Sequence, residues 1–266
     1  MAELTLAVAQ FTAGRDTGAN ADACARLIAA TAGRAGLTVL PENAMYSDPL
    51  KEGDGYSEPL DGPFITRIRE AARTAGVNVL VGFTETSQTP RPYNTLVFVQ
   101  KDGEIGGVYR KIHLYDAFGF KESDRVEPAP IGDPLVFEID GVRVGALTCY
   151  DLRFPEASRW LADHDVHVIA LPAAWATGPA KELHWETLIR ARAIENTLYF
   201  AGCGQTLPHC TGASIIIDPM GATVASAGEE PEAIAYGSVR TERVETVREK
   251  NPSLANRKFA VVPKGL

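Results

Sequence analysis

Cysteine is scarce in this chain of 266 residues: only Cys24, Cys149, Cys203 and Cys210. Four scattered thiols exclude a secreted disulfide framework. Cys203, His209 and Cys210 form one loose cluster without a second pair, which argues against zinc, and His164 with His167 at a helix-to-strand junction reads as solvated or capping histidine rather than a metal site. No apolar run approaches the roughly 20 residues that span a bilayer. The first ten residues have neither a basic region nor a long apolar stretch, so they read as a strand and not a signal peptide, and a reducing cytoplasm is the expected location. Positive charge is in deficit, 26 Lys+Arg against 34 Asp+Glu for a formal net charge of -8, which argues against a general nucleic-acid binder. Also missing are a G-x-x-x-x-G-K-[ST] phosphate loop, a G-x-G-x-x-G turn after a strand and a G-x-S-x-G nucleophile elbow.

What is present is an alternation of strand and helix patterns. Strands are expected at 4–10, 37–40, 77–83, 95–100, 105–109, 142–148, 166–171, 197–203, 213–217, 222–225 and 233–239. Helices are expected at 22–35, 63–75 (stopped by Gly76), 155–162 (opened by Pro155) and 181–196. The pattern predicts an α/β fold. A faint echo, strand–helix–strand ending in Val39-Leu40-Pro41 and again in Ala170-Leu171-Pro172, points to two similar halves around one core. No linker divides the chain, so one domain is expected over 1–250, followed by a basic, proline-containing tail at 251–266. The irregular stretch 112–134 is too long for a passive connection and is expected to be functional.

Cys149 stands at a strand-to-helix turn, where open α/β sheets place ligands and where a helix N-terminus favours thiolate and oxyanion. An inert buried cysteine is the plain alternative. A thiol nucleophile needs a base, and no histidine sits at an obvious strand end. Glu42, after Leu40-Pro41, and Lys111, at the end of the hairpin strand, are placed to help, against the plain readings of a surface or capping glutamate and a solvated lysine.

Pro41-Glu42-Asn43, Tyr109-Arg110-Lys111-Ile112-His113-Leu114 and Thr148-Cys149-Tyr150-Asp151-Leu152-Arg153-Phe154-Pro155-Glu156 resemble, in order and approximate spacing, the three signatures of the nitrilase superfamily of carbon–nitrogen hydrolases. Arg190-Ala191-Arg192-Ala193-Ile194-Glu195-Asn196 resembles a fourth stretch common there. The residues after the cysteine resemble the ω-amidase and deaminated-glutathione amidase branch, or a related bacterial aliphatic amidase.

The resemblance implies a four-layer α-β-β-α sandwich in a single domain. It implies hydrolysis of a small aliphatic amide, not a peptide, through a cysteine thioester. Glu42 would be the general base, Cys149 the nucleophile, and Lys111 with the Tyr150 backbone N–H the oxyanion donors. Glu122 is the best match to the family's second glutamate, with Asp116 as the alternative. The pocket is expected to include Tyr46, Ala173, Ala174 and Trp175, and a substrate carboxylate would call on Lys121 or Arg153. Arg190, Arg192 and Glu195, on the long helix, read as structural ion pairs or interface residues and not as catalytic groups. No cofactor or metal is required. The expected partners are a small-molecule amide and further copies of the chain in a homodimer or higher homo-oligomer, with the tail packing on a partner subunit. N-carbamoyl amide or nitrile hydrolysis, acyl transfer to an amine, and a non-catalytic binding or scaffold role are the rivals.

Overall fold

The computed structural model describes residues 1–50, 52–53 and 55–264. Two six-stranded sheets stack face to face. In the first, β1 (Glu3–Gln10), β2 (Leu37–Val39), β3 (Asn78–Glu85), β4 (Tyr93–Val99) and β5 (Ile105–Arg110) follow one another, and the later β14 (Ala233–Arg240) closes the edge beside β1. Residues 112–134 contribute a small hairpin, β6 (Asp116–Ala117) with β7 (Phe120–Lys121), and one 3-10 turn, Glu122–Asp124. The second sheet has β8 (Val136–Ile139), β9 (Val142–Ala146), β10 (Val168–Ala173), β11 (Tyr199–Gly204), β12 (Ile215–Ile217) and β13 (Thr223–Ser226) in linear order.

The two sheets share one pairing pattern. From β14 through β1 to β5 it runs antiparallel, parallel, parallel, antiparallel, antiparallel. From β8 to β13 it runs the same way. The two Leu-Pro sequences of the echo thus lie at equivalent places, at the ends of the third strands β2 and β10.

Strand alternation builds the layers. In β1, Leu4, Leu6 and Val8 enter the core shared by both sheets, while Ala9 joins the outer cluster beneath the helices. That outer cluster packs Leu27 and Ile28 of α1 (Thr17–Ala30) and Phe64, Ile65 and Ile68 of α2 (Pro63–Ala75) on Val79, Val81, Val97 and Val99. Across the sandwich Phe98 stacks on Phe137, with ring centroids 3.7 Å apart. Leu161 of α3 (Pro155–Ala162) and Trp185, Ile189 and Ala193 of α4 (Lys181–Asn196) cover the second sheet. Each such fully buried aliphatic or aromatic side chain contributes about 1.5–3 kcal/mol of transfer free energy, so burial on both faces of both sheets holds the four layers together. The fold is the α-β-β-α sandwich that the resemblance implied.

Several boundaries differ from expectation for local reasons. Helix α1 starts at Thr17, five residues early, because Asp16 caps it by accepting the Ala19 N–H at 2.9 Å. Strand β8 was not anticipated. It pairs with β9 through Asp140-Gly141, both at positive φ (50° and 82°), a turn signal that lies beside a mixed-polarity strand. Helix α5 (Thr241–Lys250) was also missed, its pattern being dominated by charge. The described part of the tail beyond it, 251–264, is mostly exposed, with Arg257 paired to Asp163, and its last two residues lie outside the described residues.

Candidate active site

Glu42 leaves the end of β2 and is 2% exposed. Its backbone is clamped from two sides. Gln205 donates its side-chain amide to the carbonyls of Glu42 (2.8 Å) and Asn43 (3.2 Å), and Asn43 itself sits at φ 55°. Gly82 of β3 passes so close that a Cβ there would stand 2.6 Å from the Glu42 Cα and 3.0 Å from the Pro41 carbonyl oxygen. The neighbours are backbone and cannot swing away. Gly82→Ala should therefore displace Glu42, cost about 1–3 kcal/mol in a urea titration and lower turnover at least tenfold per folded molecule.

The Glu42 carboxylate is fully engaged. Oε1 accepts from Lys111 Nζ at 2.9 Å and from Asn94 Nδ2 at 2.7 Å, and Oε2 accepts the Ala174 N–H at 2.7 Å. Lys111, just past β5, is 2% exposed and donates also to Glu122 Oε2 at 2.9 Å. Glu122 opens the 3-10 turn in the long loop, and its Oε2 accepts the Tyr115 N–H at 2.6 Å. Burial opposes the charge of Lys111, but the Glu122 and Glu42 carboxylates outweigh it and hold its pKa well above the ordinary lysine value. Lys111 is an ammonium ion at any physiological pH.

Cys149 follows β9 by three residues, at the start of a 3-10 turn over Cys149–Arg153, with φ 42°. A non-glycine residue there is strained and must be held by its surroundings. The Thr148 N–H donates to Asp151 Oδ2 at 2.9 Å, and Arg192 Nε, from α4, donates to the Leu152 carbonyl at 3.0 Å. The thiol lies in the field of the Glu42 carboxylate and the Lys111 ammonium. Burial pushes its pKa well up, Glu42 adds to that, and Lys111 only partly offsets it. The expectation of a helix N-terminus favouring thiolate is corrected: a short 3-10 turn stands there, α3 begins only at Pro155, and desolvation beside a carboxylate keeps the resting sulfur protonated.

Glu42, Lys111, Glu122 and Cys149 thus meet at one end of the two sheets, lining a cavity of about 300 Å³. Tyr46, Tyr150, Ala174 and Trp175 line it as well. Ala173 does not: it is fully buried as the last residue of β10, and its pocket place is taken by Ala174. Asp116, the alternative to Glu122, points away and accepts from Ser123. Lys121 is exposed and paired with Asp124 at 3.2 Å, so it is not a pocket cation. Arg190 and Arg192 form the expected helix ion pairs, with Glu186 and Glu195.

Three site residues were missed in the sequence. Asn94 on β4 gives one amide hydrogen to Glu42 and the other to Glu122 (3.0 Å), bridging two carboxylates that would otherwise repel. Gln205 ties the base loop to the second sheet, which no spacing signal reveals. Lys181, at the start of α4, is 5% exposed, donates to the Tyr115 hydroxyl at 2.8 Å and lies 3.8 Å from the Phe118 ring centre. Arg153 stands near it, over Trp175 at 4.6 Å. Among the described residues neither cation has a carboxylate within ion-pair distance, and Arg153 Nε is a buried donor without a partner.

A family model described as carbon-nitrogen hydrolase matches residues 5–249. The chain is 39% identical over 260 residues to the deaminated glutathione amidase of Escherichia coli O157:H7, covering 97% of this chain and 98% of that one. It is 36% identical over 246 residues to the deaminated glutathione amidase of Rattus norvegicus, covering 85% and 74%. Among solved structures it is similar to a CN-hydrolase superfamily protein from Xanthomonas campestris, with a TM-score of 0.87 at 26% identity over 99% of this chain and 100% of that one. Nit3 of Saccharomyces cerevisiae gives a TM-score of 0.83 at 26% identity, over 97% of both chains. With the sandwich, the buried cysteine and the whole-length similarity in agreement, this chain belongs to the carbon-nitrogen hydrolase family.

Proposed function

We propose that the protein hydrolyses a short amide bearing a carboxylate on its acyl part, giving the free acid and ammonia through a thioester on Cys149. The observation that carries the chemistry is the buried contact of Cys149, Glu42 and Lys111. Glu42 takes the thiol proton as sulfur attacks the amide carbon. Negative charge develops on the carbonyl oxygen. Lys111 Nζ has three hydrogens and spends two on Glu42 and Glu122; the third serves the oxyanion, with the Tyr150 N–H as second donor. The intermediate collapses, the C–N bond breaks, and the proton held by Glu42 leaves with ammonia. Glu42 then takes a proton from water as that water attacks the thioester, and returns it to sulfur as the C–S bond breaks, which regenerates both the thiol and the carboxylate. Glu122 keeps Lys111 in place through both halves.

The carboxylate follows from Arg153 and Lys181, two cations on the cavity wall that have no carboxylate partner among the described residues. Burial first, and Arg153 second, depress the Lys181 pKa, a cost that an anionic ligand would relieve. The relatives named deaminated glutathione amidase accord with an anionic amide. A charge-assisted hydrogen bond is worth about 1.5–3 kcal/mol, so Lys181→Met should raise KM for an ω-amido acid about 10- to 100-fold. It should change KM for an uncharged amide of equal length less than threefold.

Ammonia release across short amides, ω-amido acids, carbamoyl amino acids and nitriles tests the whole reading. Turnover of an ω-amido acid with release of the free acid supports it. Preference for a carbamoyl compound or a nitrile, or formation of a new amide when an amine is added, replaces it. Silence across the panel with an intact fold leaves a binding role.

A further inference from the structure

Asp151 takes no part in the chemistry above, yet it is completely buried and makes three hydrogen bonds. Oδ2 accepts from the Thr148 N–H at 2.9 Å and from the Tyr109 hydroxyl at 2.7 Å; Oδ1 meets His113 Nδ1 at 2.7 Å. A carboxylate only accepts, so all three partners are donors. Thr148 adjoins the nucleophile. Tyr109 lies two residues before Lys111 and His113 two residues after it. The chain bends at Ile112 and His113 just past β5, and with both flanking side chains bonded to it the carboxylate grips the lysine segment on both sides of Lys111. The His113 ring also stacks on Phe154, centroids 3.8 Å apart and planes 9° from parallel, at the far end of the cysteine turn.

We infer that Asp151 is a positioning residue that sets the separation between Cys149 and Lys111. The two segments come from different sheets: the lysine follows β5 of the first, the cysteine β9 of the second. Apolar packing between sheets is non-directional and permits small slides. A buried carboxylate with three donors drawn from both segments does not. The third Lys111 hydrogen must point at an oxygen held on the sulfur, and an error of about 1 Å there costs about a hundredfold in rate. Asn94 and Glu122 fix Lys111 relative to Glu42, within the first sheet and its loop. Gln205 and the Ala174 N–H tie Glu42 to the second sheet; Asp151 ties the lysine segment to the cysteine turn itself.

The inference rests on the amidase reading. Asp151→Asn keeps the volume but turns two hydrogens toward existing donors. We expect kcat to fall about 10- to 100-fold with KM within threefold. Iodoacetamide alkylation of Cys149 should slow at least threefold, as Lys111 moves off the sulfur it helps to ionise. Tyr109→Phe and His113→Asn each leave Asp151 two partners and should lower kcat about three- to tenfold; they decide the matter if Asp151→Asn does not fold. Values of kcat within twofold of the unaltered protein, or losses equal to the unfolded fraction, overturn the inference. If the unaltered protein releases no ammonia, the amidase reading fails separately, and the alkylation rate, which needs no substrate, still decides the role of Asp151.

Discussion

Replacing Cys149 with alanine should abolish ammonia release, lowering turnover roughly 10⁴-fold or more, while the protein melts close to the unaltered chain. No other cysteine can substitute. Cys24 and Cys203 are wholly inaccessible, and burial holds the Cys203 and Cys210 thiols up at about 12. Cys210 lines the cavity wall, but burial first and the Glu42 charge second hold its thiol protonated, and no Lys111 offset acts on it as it does on Cys149. The fold should tolerate the change. Alanine keeps the backbone bonds of Thr148 and Leu152, and removing one sulfur costs about 1 kcal/mol. Iodoacetamide followed by peptide mass mapping gives an independent measure. Cys149 should be modified first, despite its raised pKa, because Glu42 lies against it to accept the proton. Equal modification of all four thiols, or substantial turnover by the alanine variant, would remove Cys149 from its role.

Glu42→Gln is expected to slow acylation about 10²- to 10⁴-fold, the range associated with loss of a general base. The carboxylate makes three hydrogen bonds, all as acceptor. A glutamine amide cannot serve both ends. Its NH2 group must face either the Ala174 N–H or the Lys111 and Asn94 donors. Lys111 keeps Glu122 as counter-ion, so the buried ammonium is not stranded. The stability cost should stay near 1–3 kcal/mol. Denaturant titration separates the two effects. A loss of several kcal/mol with residual activity proportional to folded protein would make Glu42 a structural residue. A folded variant that no longer releases ammonia would make it the base.

Much of the candidate site was legible in the chain because its residues sit at strand ends, and strand ends carry local marks. Leu40-Pro41 stops β2 immediately before Glu42. The hairpin strand β5 stops at Arg110, one residue before Lys111. The Pro155 signal closes the turn that begins at Cys149. The repeat of Leu-Pro at the ends of β2 and β10 even marked the two equivalent strands, and the Glu42 carboxylate accepts the Ala174 N–H just beyond the second of them. Resemblance to the nitrilase superfamily then joined the three positions and picked out Glu122.

Other features left no such mark. Asn94 looks like any polar residue within an apolar strand, and Gln205 like any residue after one; each acts through partners far away in sequence. Lys181 was read only as the start of a helix, although its stem is buried. Lys121 has the same charge and lies nearer the motif, but the hairpin turns it outward to Asp124. Ala173 and Ala174 differ by one position, and the end of β10 determines which one reaches the cavity.

Which residues can do the chemistry, and on which strand ends they stand, was determined by the sequence, since alternation, stops and motif order are properties of neighbours along the chain. Where their atoms meet was decided only when two sheets stacked. That step places Glu42, Lys111 and Cys149 in one water-poor hollow, and the same low polarity raises the thiol's pKa and keeps the lysine charged only because two carboxylates face it. Desolvation and cross-sheet hydrogen bonds belong to the packed molecule, and no segment carries them alone.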